Sequence, residues 1–152
     1  MKKPNKWWIY TLLTLSWTGV IFAFSLQPAN ASANLSGGLL QRLLNLWYQW
    51  TNLQIPVDAV HRLFRKVAHF GEFFVLGTFA FFWFHKLKKS RFFPLVYGAL
   101  VAVSDETLQF FTGGGRSMRL TDMGIDLLGC ASGILAISAL CYLISKRTQK
   151  HS

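Results

Sequence analysis

The sequence predicts an all-α integral membrane protein, a bundle of four transmembrane helices with an interfacial amphipathic helix in a long first outer loop. Three observations lead there. Hydrophobic residues make up 52% of the 152-residue chain and charged residues only 14%, too few to cover a soluble domain of this size. The apolar residues gather in four runs, each near the ~20 residues that a bilayer crossing needs. Basic residues flank those runs, which accounts for the net charge of +10 as a lipid-facing surplus; no basic groove interleaved with base-reading residues marks a nucleic-acid partner.

The four spans are expected at about 7–25, 67–85, 92–111 and 122–145, with Trp7, Trp8, Trp83 and Tyr142 near their ends at the level of the headgroups. Lys2, Lys3 and Lys6 precede the first, and Ala29-Asn30-Ala31 follows it, the layout of a cleavable leader. Its apolar run of 18 residues exceeds a usual leader core, so the first span is expected to be retained.

Pro28 should stop that helix by withholding a backbone donor. Beyond Ser36-Gly37-Gly38, the residues Leu39, Leu40, Leu43, Leu44, Leu46, Trp47 and Trp50 form a broad helical stripe. The interfacial helix is therefore expected over about 36–53. Ile55-Pro56-Val57 breaks it, and Asp58 is expected to cap the helix that runs into the second span.

Ten basic residues fall on one side of this topology: Lys2, Lys3, Lys6, Lys86, Lys88, Lys89, Arg91, Lys146, Arg147 and Lys150. Six fall on the other: Arg42, Arg62, Arg65, Lys66, Arg116 and Arg119. The positive-inside rule makes the first side cytoplasmic, with both termini on it. Cys130 and Cys141 share the last span, eleven residues apart. At ~1.5 Å per residue they stand ~16 Å from each other, too far to bridge, and both are expected to be core thiols. Gly129, Gly133 and Ala136 on that span read as a packing face.

The six acidic residues are Asp58, Glu72, Asp105, Glu106, Asp122 and Asp126. Alternation of the spans brings Glu72, Asp105 with Glu106, and Asp122 with Asp126 to the same membrane face as Ser25 and Gln27. Helical spacing aligns Arg62, Arg65, His69 and Glu72 on one stripe, sets Gln109 beside Asp105 and Glu106, and sets Asp126 one turn from Asp122. A lone carboxylate costs roughly 2.5–3.5 kcal/mol at a helix centre, so these groups should face each other, water, or Arg65, Lys66, Arg116 and Arg119. The candidate polar pocket comprises Gln27, Lys66, His69, Glu72, Asp105, Glu106, Gln109, Arg116, Asp122 and Asp126. Between the last two spans, Gly113-Gly114-Gly115-Arg116 permits a tight turn but lacks the context of a phosphate loop.

Ordered motifs with matching spacing make the chain resemble the VanZ-like family of bacterial membrane proteins. They are Phe24-Ser25-Leu26-Gln27-Pro28, Lys66-Val67-Ala68-His69-Phe70-Gly71-Glu72-Phe73, Ser104-Asp105-Glu106-Thr107-Leu108-Gln109, Gly115-Arg116 and Thr121-Asp122-Met123-Gly124-Ile125-Asp126-Leu127-Leu128-Gly129. The Gly113-Gly114-Gly115 turn departs from the Pro-Gly that the family usually places before the arginine. The resemblance implies a single VanZ-like membrane domain over residues 1–152 in the bacterial cytoplasmic membrane. The family's namesake is associated with resistance to the glycopeptide teicoplanin, which makes a contribution to such resistance an expectation here.

The residues fit three functions. One is a cell-envelope binding protein whose outward pocket takes an amphipathic or lipid-linked headgroup, its partners a membrane lipid, a lipid-linked cell-wall intermediate or a glycopeptide. No cofactor is expected for it. Another is a metal-assisted hydrolase or transferase on a lipid-linked substrate, with His69 and the carboxylates as donors for a hard divalent ion. The last is a hydrogen-bonded network that locks the helices and holds no ligand. A transporter fits less well, because no polar path continues through the other half of the bundle.

Overall fold

The computed structural model describes residues 6–26, 42–52, 56–112 and 119–150, without the side chains of Asp58 and Lys150. Among these residues the secondary structure is helical and no strand occurs. The helices are α1 (Trp7–Ser25), α2 (42–51), α3 (Val57–Lys86), α4 (Phe92–Thr112) and α5 (Leu120–Lys150). Three are long and apolar enough to cross a membrane, over Trp7–Ser25, Ala59–Lys86 and Leu120–Gln149, with mean hydropathies of 1.4, 1.5 and 2.2. This corrects the expectation of four such helices. α4 falls short because its last turns carry Asp105, Glu106 and Gln109, all buried against its neighbours.

α1 is sided in an unusual way for a helix in water. Its buried residues are Thr14, Thr18, Ile21 and Ser25, while Leu12 and Leu15 are 56% and 50% exposed. The hydroxyls of Thr14 and Thr18 donate to carbonyls one turn back at 2.7 and 2.9 Å, so little polar surface remains unpaired along that part of the face. Only 22%, 28% and 28% of the three apolar helices is buried by the rest of the chain. Apolar surface on this scale marks a membrane protein.

α3 starts earlier than its apolar run, and its N-cap is Pro56, not the expected Asp58. The carbonyl of Pro56 accepts from the backbone N–H groups of Ala59 and Val60 at 3.0 and 3.3 Å. A proline fits here because the first turn asks for no intrahelical donor. The helix then carries Arg62, Arg65 and Lys66 rigidly into His69 and Glu72. At its far end Lys88 adopts φ 55°, and the Lys89 N–H closes back on the Phe84 carbonyl at 2.9 Å. The expected interfacial helix appears as α2 over 42–51, ended by Asn52 at φ 53°; residues 36–41 lie outside the described residues, as do Pro28 and Ala29-Asn30-Ala31.

α3 and α5 form the spine of the bundle, running parallel with backbones close together. A Cβ at Gly129 would collide with the Phe70 carbonyl, and one at Gly133 with the Phe74 carbonyl. The i, i+4 glycine pair therefore sets the approach, as its spacing predicts. α4 and α1 run antiparallel to this pair. Their apolar contact with it is built on Ile21, Phe73, Leu76, Phe81, Val101, Ala102, Cys130 and Ile134. Cys130 and Cys141 are both free, but only Cys130 is buried, which corrects the expectation of two core thiols. Beyond Ser138 no helix among the described residues covers the last turns of α5, and residues 139–149 are exposed.

Candidate functional site

Because the helices alternate in direction, the end of α1, the first half of α3, the end of α4 and the start of α5 meet at one end of the bundle. A string of polar contacts joins them. On α4, Asp105 is fully buried, and its Oδ1 accepts from the Ser25 hydroxyl of α1. Its Oδ2 accepts from Gln109 Nε2 at 2.8 Å, one turn along the same helix. The same amide nitrogen reaches Ser25 Oγ at 3.4 Å, and its carbonyl oxygen accepts from Arg65 Nη2 of α3 at 2.8 Å. Arg65 also stands 3.6 Å from Asp122 Oδ2 at the start of α5. Four helices are thus tied through Ser25, Asp105, Gln109, Arg65 and Asp122.

A second set lies deeper. His69 Nδ1 is 3.2 Å from Asp126 Oδ1 and 3.9 Å from Asp105 Oδ2. The 3.2 Å approach is an ion-pair distance but is poorly aligned for hydrogen bonding, so among the described residues His69 Nδ1 and both Asp126 oxygens lack a hydrogen-bond partner. One donor atom each from His69, Asp105 and Asp126 lies within 4.8 Å of the other two. Among the described residues these three could hold a metal ion. Glu72 sits one turn from His69, partly buried, and its backbone carbonyl accepts from Trp17 Nε1 at 2.9 Å.

Above this set, between α3 and the start of α5, opens a cleft of about 310 Å³. Arg62, Arg65, Lys66 and Arg119 line it with positive charge, Asp122 with negative charge, and Leu63 with an apolar wall. Arg119 is fixed in part by its backbone N–H, which donates to Glu106 Oε1 at 2.6 Å. Arg65 belongs to both cleft and polar string.

Of the residues the sequence singled out, His69, Glu72, Asp105, Glu106, Gln109, Asp122 and Asp126 come together at this end, and Lys66 lines the cleft beside them. Gln27, Arg116 and the Gly113-Gly114-Gly115 turn lie outside the described residues. The possible metal donors narrow: Glu106 holds the backbone of Arg119 and Asp122 faces Arg65, leaving His69, Asp105 and Asp126 as a set. The candidate pocket omitted Ser25, Arg62, Arg65 and Arg119. The stripe of Arg62, Arg65, His69 and Glu72 was a usable signal for the first two arginines. Nothing in the spacing could tie Ser25 to a carboxylate on another helix.

The family model described as VanZ/LLP1 matches residues 7–143. The chain belongs to the VanZ/LLP1 family. No curated protein and no solved structure gave a match. The segments that carry His69, Asp105 and Asp126 all fall within the matched region.

Proposed function

We propose that this VanZ/LLP1 protein is an envelope membrane protein that binds the phosphate-bearing headgroup of an amphipathic, lipid-anchored molecule. The observation that carries this is the cleft of about 310 Å³, where, among the described residues, Arg62, Arg65, Lys66 and Arg119 outnumber the carboxylate of Asp122. Excess positive charge on the walls attracts an anion. Guanidinium groups hydrogen-bond phosphate oxygens in pairs, and Leu63 offers an apolar wall to the adjoining chain. The opening lies where α3 and α5 begin, at the level of the headgroups rather than the acyl tails.

In this reading the cleft faces outward, and α1, α3 and α5 cross the cytoplasmic membrane with α4 packed antiparallel beside them. The lysine-rich end then lies inside with both termini, in keeping with the positive-inside rule. α2, with Leu46, Trp47 and Trp50 exposed, lies in the outer interface. A lipid-linked cell-wall intermediate fits the ligand chemistry, and sequestering one is a route by which such a protein contributes to glycopeptide resistance.

Mass spectrometry of lipids that copurify in mild detergent tests the assignment. Wild type should carry an anionic phospholipid or polyprenyl-phosphate species above the bulk membrane proportion. Arg62→Ala combined with Arg119→Ala should reduce that enrichment at least tenfold with the fold intact. A wild-type lipid profile equal to bulk membrane, or enrichment unchanged in the double variant, would refute it.

A further inference from the structure

We infer that His69, Asp105 and Asp126 form a binding site for one divalent transition-metal ion, of the Zn²⁺ or Mn²⁺ kind. Asp126 is 0% exposed, yet among the described residues neither of its carboxylate oxygens has a well-aligned hydrogen-bond partner; His69 Nδ1 approaches one of them at 3.2 Å. A buried carboxylate that accepts no aligned hydrogen bond is expensive, and buried charges are ordinarily hydrogen-bonded as well as paired, or bound to metal. His69 Nδ1, also without a hydrogen bond, faces the same point. A proton on His69 would balance one of the two aspartates and leave the other; a divalent ion balances both.

The dimensions agree. Donors ~2.0–2.2 Å from a tetrahedral ion stand roughly 3.3–3.6 Å from one another. His69 Nδ1 lies 3.2 Å from Asp126 Oδ1 and 3.9 Å from Asp105 Oδ2, so small side-chain adjustments close the shell. One imidazole nitrogen and two carboxylates are borderline-to-hard donors, without the thiolates that favour copper(I) or iron–sulfur clusters. Cys130 does not join them; it packs against Gly98 and the Pro94 carbonyl farther along the bundle.

Asp105 is oriented as metal-bound carboxylates usually are, by hydrogen bonds from outside the shell. Ser25 Oγ donates to one of its oxygens and Gln109 Nε2 to the other, the latter at 2.8 Å. Gln109 is in turn held by Arg65, a cleft residue, at 2.8 Å. Three protein donors leave coordination positions open for water or for an oxygen of a ligand. The site stands without the lipid assignment, since none of its donor atoms belongs to the cleft lining.

The test uses the whole chain purified in mild detergent, stripped with EDTA, and titrated separately with Zn²⁺, Mn²⁺, Co²⁺, Mg²⁺ and Ca²⁺. Binding is read from Mn²⁺ paramagnetic resonance, Co²⁺ visible absorption and the thermal midpoint. Wild type should bind one equivalent of Mn²⁺ and of Co²⁺, with a raised midpoint. Asp126→Asn should abolish this, and Ser25→Ala should weaken affinity roughly 10–100-fold as the loss of an outer-shell partner does. Arg62→Ala, which alters only the cleft, should bind metal as wild type does. Absence of saturable binding in wild type overturns the site, whatever the variants do. So does equal binding by a folded Asp126→Asn protein, which would place the ion elsewhere.

Discussion

Arg65→Ala should be the most damaging single truncation among the cationic residues, because Arg65 is a tie between helices as well as a wall of the cleft. Its guanidinium donates to Gln109 at 2.8 Å and lies 3.6 Å from Asp122. A hydrogen bond from a charged donor contributes ~1.5–3 kcal/mol, and its loss leaves the buried Gln109 carbonyl short of a donor. The Asp122 pair adds little, ~0–1 kcal/mol, since the Arg65 side chain is 37% exposed and the distance is long. Together the loss is about 1.5–4 kcal/mol, which at ~2–4 °C per kcal/mol lowers the thermal midpoint by about 3–16 °C. Thermal unfolding in one detergent, wild type against variant, measures it. Arg62→Ala is the control, an exposed position on the same helix whose change should fall within ~0.5 kcal/mol. Arg65→Lys should recover only part of the loss, because an ammonium has no fork with which to serve both partners. If Arg65→Ala and Arg62→Ala unfold within a degree of each other, the tie from α3 to α4 and α5 does not exist.

The spine should be equally selective among glycines. Gly133→Ala places a methyl against the Phe74 carbonyl, a backbone atom that cannot swing aside, and should cost ~1–3 kcal/mol in detergent unfolding. Gly19→Ala meets nothing within 4 Å and should be neutral or stabilising by ~0.5–1 kcal/mol through helix propensity. Trp17→Phe removes the indole donor to the Glu72 carbonyl at 2.9 Å and should lower stability by ~0.5–1.5 kcal/mol while leaving the edge-to-face neighbour Phe79 packed. N-ethylmaleimide should modify Cys141 in the folded, detergent-solubilised protein and Cys130 only after SDS unfolding, as peptide mass spectrometry would show; early modification of Cys130 would contradict its burial between α4 and α5.

Much of the helical layout was legible because membrane solvent makes helix length and apolar content nearly synonymous. α1 appears at the expected 7–25, and α4 ends one residue beyond expectation. The apolar run alone could not give the start of α3; the expected cap at Asp58 and the stripe of Arg62, Arg65, His69 and Glu72 placed it within two residues of the observed Pro56. There the chain leaves the apolar run, and backbone continuity through Arg62, Arg65 and Lys66 decides the helix instead. Alternation alone brought the acidic residues to one end, since it needs only the order of the helices. Partner choice was out of reach: spacing placed Asp122 and Asp126 on one face, but only the crossing of α3 over α5 turns Asp122 to Arg65 and Asp126 to His69. Cys141 misled for a related reason. Its apolar surroundings in sequence resemble a core, yet α5 outruns its neighbours at that height.

α4 shows how the polar cluster and the membrane fold depend on each other. Its hydropathy is lowered by the residues that bind it to the bundle: Asp105 to Ser25 of α1, Gln109 to Arg65 of α3, and Glu106 to the backbone at the start of α5. Alone in lipid, those groups would lose these partners and keep only the Gln109–Asp105 bond within the helix, and α4 would be costly to insert. Packed, each of the three has one. The apolar helices can be recognised singly because lipid is a sufficient environment for them. α4 cannot, because its environment is the other three helices, and a criterion that scores one segment at a time omits the interaction that makes it viable. The same reasoning explains the glycines of α5: only a close approach of α5 to α3 narrows the space at this end enough for His69 to reach both Asp105 and Asp126.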